Sequence, residues 1–309
     1  MTGWQLRTPV AFLIFNRPET TRRVFEAIRY ARPPRLLVVA DGPRPNVPGD
    51  AERCSAARAV IDSVDWECQV VTNYAEANMG CKRRVSSGLT WVFDTVEEAI
   101  ILEDDCLPHP TFFRFCEELL ERYRSDERVM AISGDNFGVR PRTDASYYFS
   151  LFNFIWGWAS WRRAWQLYDL EMSLWPTVRD GGWLLDVLQH SDAARYWAER
   201  FQLCHDGRLD TWDYPWTFAC WINGGLTAVS TVNLVSNIGF GSDGTHTMSM
   251  DESLANIPAE GLTFPLRHPQ LILRDTRADA FVQETRYNPG WRRRVERKLH
   301  HLFGKLSIT

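Results

Sequence analysis

Three acidic residues in a row, Glu103, Asp104 and Asp105, follow directly on the apolar run 99–102 (AIIL). Crowded carboxylates repel one another, and removing each from water costs several kcal/mol unless something positive compensates. Such a triplet at the end of a buried strand is either a wet, acidic loop start or a place where a cation sits. Hard divalent ions take carboxylate oxygens and keep positions open for phosphate. The tip therefore suits Mg²⁺ or Mn²⁺ neutralising a pyrophosphate. A phosphate loop of the form G-x-x-x-x-G-K-[S/T] does not occur in the chain, so a metal would have to supply most of the positive charge.

Presenting these carboxylates takes a strand that stops at a loop, and the chain offers several. The runs 9–16 (PVAFLIFN), 35–43 (RLLVVADGP), 68–73 (CQVVTN), 99–102 and 129–133 (VMAIS) read as short strands. Segments of helical period separate them. Pro18 is placed to open the first, with Val24, Phe25 and Ile28 on one face. A later one, 111–123, buries Phe112, Phe115, Cys116 and Leu119 on the same reasoning. Alternation of strand and helix predicts an α/β fold: a Rossmann-like α/β/α sandwich with a mostly parallel sheet covered on both faces. Ligands in such sheets bind outside the carboxyl ends of the strands. Those ends carry Asn16-Arg17, Asp41, Asn73 and the acidic triplet, four polar tips expected on one edge. From about residue 134 the chain is aromatic, Gly-rich and irregular, with one helical stretch near 182–203. Ten of the fourteen tryptophans lie between Trp156 and Trp221, which makes this a Trp-rich second half.

Composition narrows the functional classes. Hydrophobic residues are 45% and charged residues 24%, as in an ordinary soluble protein. A net charge of −4 gives no global field to recruit nucleic acid. No apolar run reaches the roughly 18 residues a membrane span needs, and the N-terminus lacks the pattern of a secretion signal. The seven scattered cysteines show no metal or redox spacing, so reduced thiols and a cytoplasmic location are expected. The C-terminal stretch 291–306 is basic and amphipathic. It is either a terminal helix packed on the body or a peripheral contact with the anionic inner face of a membrane.

The stretches FLIFNRPETTRRVFEAI, ADGPRP, NMGCKRRVSSGLTWVF, IILEDDCLPHPTFFRFCEELLERY, FIWGWASWRRAW, DTWDYPWTFACW and NLVSNIGFGSDGTHT together resemble bacterial family 2-like glycosyltransferases of the GT-A fold. More remotely they resemble the N-acetylglucosaminyltransferase I class, which carries Glu-Asp-Asp at its metal site. The resemblance spans roughly residues 8 to 275. It implies a nucleotide-sugar-binding half (1–135), an acceptor-binding and catalytic half of the same domain (136–275), and a basic tail (276–309). It also implies a transferase of polysaccharide biosynthesis that moves a hexosyl or N-acetylhexosaminyl group. The donor would be a nucleotide sugar, UDP-linked by expectation, and the acceptor a glycan or a lipid-linked molecule.

The resemblance also implies roles for residues. Asp105 would ligate Mn²⁺ or Mg²⁺ on the donor diphosphate, and Glu103 and Asp104 would touch ribose or sugar. Phe15, Asn16, Arg17 and Asp41 would hold the base, although Asp41 in Asp-Gly-Pro also suits a plain turn. Asn78, Gly80 and Lys82 would lie near the nucleotide and its phosphates, with a solvated lysine the alternative for Lys82. Inverting transfer needs a carboxylate that takes the proton of the acceptor hydroxyl. Asp210 and Asp213 in DTWDYPW are the candidates, and Asp213, next to the aromatic segment, is preferred; an N-cap or turn aspartate explains either one alone. His246 would be a second metal ligand or a surface loop histidine. Trp156, Trp158 and Trp212 would line the sugar pocket by offering flat faces to C–H groups, with Gly157 allowing close backbone approach. Asp135 and Asn136 would bind sugar hydroxyls or form a turn, while Trp161 and Trp165 read as packing. Two other readings stay open: a nucleotidyltransferase that makes a nucleotide sugar, and a non-catalytic carbohydrate-binding protein.

Overall fold

The apolar runs become the centre of one sheet. The computed structural model describes residues 4–239 and 256–287. Strands β1 (Val10–Ile14), β2 (Arg35–Ala40), β3 (Gln69–Tyr74) and β4 (Glu98–Glu103) alternate with helices α1 (Pro18–Ala31), α2 (Asp50–Ala59) and α3 (Cys81–Thr95). Next come β5 (Cys106–Pro108), α4 (Thr111–Arg122), β6 (Val129–Ser133), β7 (Tyr147–Ser150) and β8 (Trp158–Trp161). Short helices α5 (Arg162–Trp165), α6 (Trp175–Asp180) and α7 (Trp183–Leu188) lead to α8 (Ser191–His205) and α9 (Asp213–Ile222). The described chain closes with β9 (Leu226–Ser230), β10 (Val235–Asn237), α10 (Thr276–Val282) and a π-helical turn, Gln283–Tyr287.

Eight strands form the main sheet in the order β3-β2-β1-β4-β8-β6-β9-β7, and β10 pairs with β5 in a small second sheet. The pairs β3/β2, β2/β1, β1/β4 and β6/β9 are parallel. Antiparallel β8 is wedged between β4 and β6, and β7 adds an antiparallel edge. The expected mostly parallel, Rossmann-like α/β arrangement is present, with α3 against β1, β2 and β4 and α4 against β4, β6 and β8. Strands from both sides of residue 135 share the sheet.

Local chemistry explains the elements. Pro18 occupies the first turn of α1, Arg32 ends it in the left-handed conformation, and Val24, Phe25 and Ile28 are buried. Every residue of β1 and β6 is buried, as strands covered on both faces require. The expected single helix near 182–203 is two, because Gln189 turns left-handed (φ 57°) and separates α7 from α8. The irregular second half instead contributes strands β7 to β10 and helices α5 to α9. Nine of the ten clustered tryptophans are buried, and Trp183 is the exposed one. No helix among the described residues is long and apolar enough to cross a membrane. All seven cysteines are free.

The strand order fixes where a ligand can go. The chain winds from β1 to β2 and β3 on one side, then crosses to β4 on the other side of β1. The carboxyl ends of β1 and β4 therefore flank a switch point, the crevice where open α/β sheets receive ligands.

Candidate functional site

A cleft of about 430 Å³ opens at that switch point. From the first strands it takes Phe15, Arg17, Asp41 and Arg44, and from the turn before α3 it takes Asn78 and Gly80. Glu103, Asp104 and Asp105 line it after β4, and Trp156, Asp210, Trp212, Asp213 and Arg286 come from the later chain. Two carboxylate groups 105 positions or more apart in sequence thus share one cavity. A larger groove of about 600 Å³ around Arg142, His268 and Arg274 is more open and contains none of the sequence-derived candidates.

The acidic tip is not wet. Asp104 and Asp105 are buried, and a cation does sit beside them: Arg17 Nη1 lies 2.6 Å from Asp105 Oδ2 and 3.7 Å from Asp104 Oδ1. The Phe15 amide donates to Asp104 Oδ2 at 2.9 Å, joining the ends of β1 and β4. One guanidinium does not balance three carboxylates. Burial, reinforced by neighbouring carboxylates, raises Glu103 well above the usual carboxylate range and raises Asp104 as well, while Arg17 opposes both rises. Facing them, Asp213 begins α9 and accepts from the Thr211 hydroxyl. Burial raises its carboxyl too, and Glu103 feels its charge.

Asp210 is differently placed. It is exposed and stands over the start of α3, where it accepts the Lys82 amide at 3.3 Å. Gly80 opens that turn at φ 79°, and a Cβ there would lie 3.1 Å from Asp210 Oδ2. Lys82 does not line the cleft; its Nζ reaches the Cys204 carbonyl at 3.5 Å. Asp41 lines the cleft, yet Oδ1 accepts the Gly42 and Met79 amides and Oδ2 accepts Asn78 Nδ2. Its carboxylate buttresses the turn at 78–80, a role that neither of its two sequence readings gave it.

Several expected residues lie outside the cleft. Asn16 points back to Asp50, donating to Oδ1 at 2.6 Å. Asn73 accepts Arg84 Nη2 at 2.9 Å instead of facing a ligand. Asp135 is fully buried, with Oδ2 accepting the Trp156 amide at 3.0 Å. Asn136 builds a turn, accepting the Val139 amide at 2.8 Å and donating to the Ser230 carbonyl at 3.1 Å. Trp158 is buried and stacked on Trp212, 5.7 Å between rings. Gly157 (φ 139°) answers to packing, because a Cβ would meet Val235 Cγ2 at 2.6 Å. His246 and the stretch 291–306 lie outside the described residues. The sequence reading missed Arg44, whose guanidinium lies over the Phe15 ring, and Arg286. Arg44 lies within the ADGPRP stretch but was given no role there, and Arg286 sits in no recognisable pattern. The stretch 239–244 (GFGSDG) has G-x-G-x-x-G spacing, but it follows β10 of the small sheet, not the first strand of a βαβ unit. Its Gly239 backs onto Asp105, where a Cβ would lie 2.1 Å from Oδ2.

For a metal, the donor set is informative. Among the described residues no three His, Cys, Asp or Glu side chains gather as a cage. Asp105 can offer Oδ1, whose contact is the weak Cys106 thiol at 3.4 Å. One carboxylate with phosphate oxygens and water suits Mg²⁺ or Mn²⁺ arriving with a diphosphate. It does not suit a resident site made of protein alone.

No protein-family model matches the chain, and no curated protein matches it. Among solved structures, the crystal structure of 4-diphosphocytidyl-2C-methyl-D-erythritolsynthase from Anaerococcus prevotii DSM 20548 is similar over 52% of this chain and 75% of that one, with 10% identity and a TM-score of 0.33.

Proposed function

We propose that this protein is a metal-dependent, inverting glycosyltransferase that moves a sugar from a nucleotide-sugar donor, UDP-linked, to a hydroxyl of a glycan or lipid-linked acceptor. One observation carries the reading: Glu103, Asp104 and Asp105 face Asp213 across a single cleft at the carboxyl ends of β1 and β4. Inverting transfer asks for that division, with charge compensation at one end and a base at the other.

Phe15, Asn78 and Arg44 form the nucleoside end, with Asp41 holding the 78–80 turn behind it. Arg17 and Asp105 form the diphosphate end. A divalent cation held there by Asp105 would stabilise the negative charge of the departing nucleoside diphosphate. Trp156 and Trp212 line the wall against which the sugar ring would lie. Asp213 takes the proton of the acceptor hydroxyl while that oxygen bonds to the anomeric carbon and the bond from that carbon to the phosphate oxygen breaks. Burial that raises Asp213 makes it a better base than a solvated aspartate. No second acid is needed, because the diphosphate leaves without a proton.

The test is a hydrolysis screen across nucleotide sugars with Mn²⁺. Release of nucleoside diphosphate from one of them, abolished by chelation and by Asp213→Asn, is expected. Release of pyrophosphate from a nucleoside triphosphate would support nucleotidyl transfer instead. Saturable sugar binding with no turnover of any donor would support a binding protein.

A further inference from the structure

Arg286 enters the cleft from the π-helical turn, at the far end of the described chain. Its guanidinium lies 3.8 Å from the Phe137 ring centroid and 4.8 Å from that of Trp156. The two rings stand at 77° to one another, so cation–π attraction to both holds the guanidinium between them without a single stacking plane. Among the described residues, Nε and Nη1 are buried and have no hydrogen-bond partner. Leaving a charged donor buried and unsatisfied is costly, so this box is incomplete without an acceptor.

The other arginines of the cleft differ. Arg44 is committed to Asp50, Arg84 to the Ala40 carbonyl and Asn73, and Arg17 to Asp105. Arg286 has no hydrogen-bond partner for Nε or Nη1 among the described residues, while the Asp135 and Asp213 carboxylates feel its charge. A planar fork fixed by two aromatic rings matches the paired oxygens of a phosphate or a carboxylate.

We propose that Arg286 is an oxyanion-binding residue of the cleft, whose guanidinium receives phosphate or carboxylate oxygens of the bound substrate beside the Trp156 wall. The inference rests on the reading of the cleft as a substrate site for sugar transfer and adds the chemical class that must reach its later-chain side. The oxyanion comes either from the donor diphosphate or from an acidic group on the acceptor.

Calorimetric titration of the full chain with inorganic pyrophosphate and, separately, with glucuronate distinguishes the sources. Arg286→Met keeps an apolar stem against Phe137, and Arg286→Lys keeps the charge without the fork; thermal melts report whether each variant folds. The wild type is expected to bind one probe, Arg286→Met at least about tenfold more weakly, and Arg286→Lys in between. Dependence on Arg286 for pyrophosphate assigns the diphosphate, and dependence for glucuronate assigns an acidic acceptor. Equal affinity in wild type and either folded variant, or no binding of either probe by the wild type, overturns the proposal. Neither probe is a sugar donor, so this result is separate from turnover. Donor hydrolysis with oxyanion binding indifferent to Arg286 would remove this inference and leave sugar transfer standing; the reverse pattern would do the opposite.

Discussion

Arg17 Nη1 and Asp105 Oδ2 meet at 2.6 Å, joining the loop after β1 to the loop after β4 across the switch point of the sheet. The side chains keep 19% and 12% of their exposure, so the pair is largely desolvated and the guanidinium supplies the nearest compensation for three carboxylates. Arg17→Met should cost about 2–4 kcal/mol, somewhat under the range for a wholly buried pair. Millimolar Mn²⁺ should restore more of the melting temperature in that variant than it adds to the wild type, because the ion would replace the missing cation. Denaturant titrations with and without Mn²⁺ check both points. A variant as stable as wild type would mean that water already satisfies the tip.

Asp213 and Asp210 are separable by where they stand. Asp213 opens α9 inside the cleft, whereas Asp210 is exposed above the start of α3. Asp213→Asn should keep nucleotide binding and reduce kcat by about 10²–10⁴, the usual worth of a positioned base. Asp210→Asn should act through the 80–82 turn and change kcat far less. The base must be ionised, and burial raises Asp213. The acid limb of kcat/KM in the wild type should therefore lie above that of a solvated aspartate, with activity rising as pH rises through it. Steady-state rates across pH for the three proteins decide the matter; a larger loss in Asp210→Asn would exchange the two roles.

Asp135 gives a stability prediction that does not depend on activity. It is fully buried, one oxygen accepts the Trp156 amide, and the other has no partner among the described residues. Burial pushes its carboxyl up to about 7, against the opposing charge of Arg286, from about 3.9 in an unfolded chain. Between those values the folded protein holds a proton that the unfolded chain has released. Stability from this group is therefore present at low pH and lost as pH rises toward 7. Asp135→Asn stays neutral throughout. Its stability relative to wild type should be near equal at pH 4 and about 2–4 kcal/mol better at pH 8. Melting curves across that range test it, and a pH-independent difference would contradict it.

Much of the fold was legible because its signals are local. The all-buried run 129–133 is strand β6 residue for residue, and Pro18 with the stripe Val24, Phe25 and Ile28 marks α1. Strands β7 and β8 were not legible: YYFS and WASW are four residues each and buried on both faces, so neither alternates. The acidic triplet could be found because three carboxylates on an apolar strand demand compensation. Arg17 was expected on the same edge, but its pairing with Asp105, 88 positions away, was not legible. The same holds elsewhere in the site. Asn16 turns away to Asp50, Gly157 exists for Val235, and Arg286 reaches rings at Phe137 and Trp156, all contacts between residues far apart in sequence. Residue type at a strand tip identifies an edge, but the direction of each side chain is decided by neighbours from other elements.

The central claim is that Asp105 holds the charge partner of a nucleotide diphosphate at the end of β4. Calorimetry of UDP binding to wild type and Asp105→Ala, each with and without Mn²⁺, addresses it directly. The wild type should bind UDP at least about tenfold more tightly with Mn²⁺, and the variant should bind it equally weakly or equally well in both conditions, since freeing Arg17 can offset part of the loss without restoring a metal effect. An undiminished Mn²⁺ enhancement in Asp105→Ala would contradict the claim.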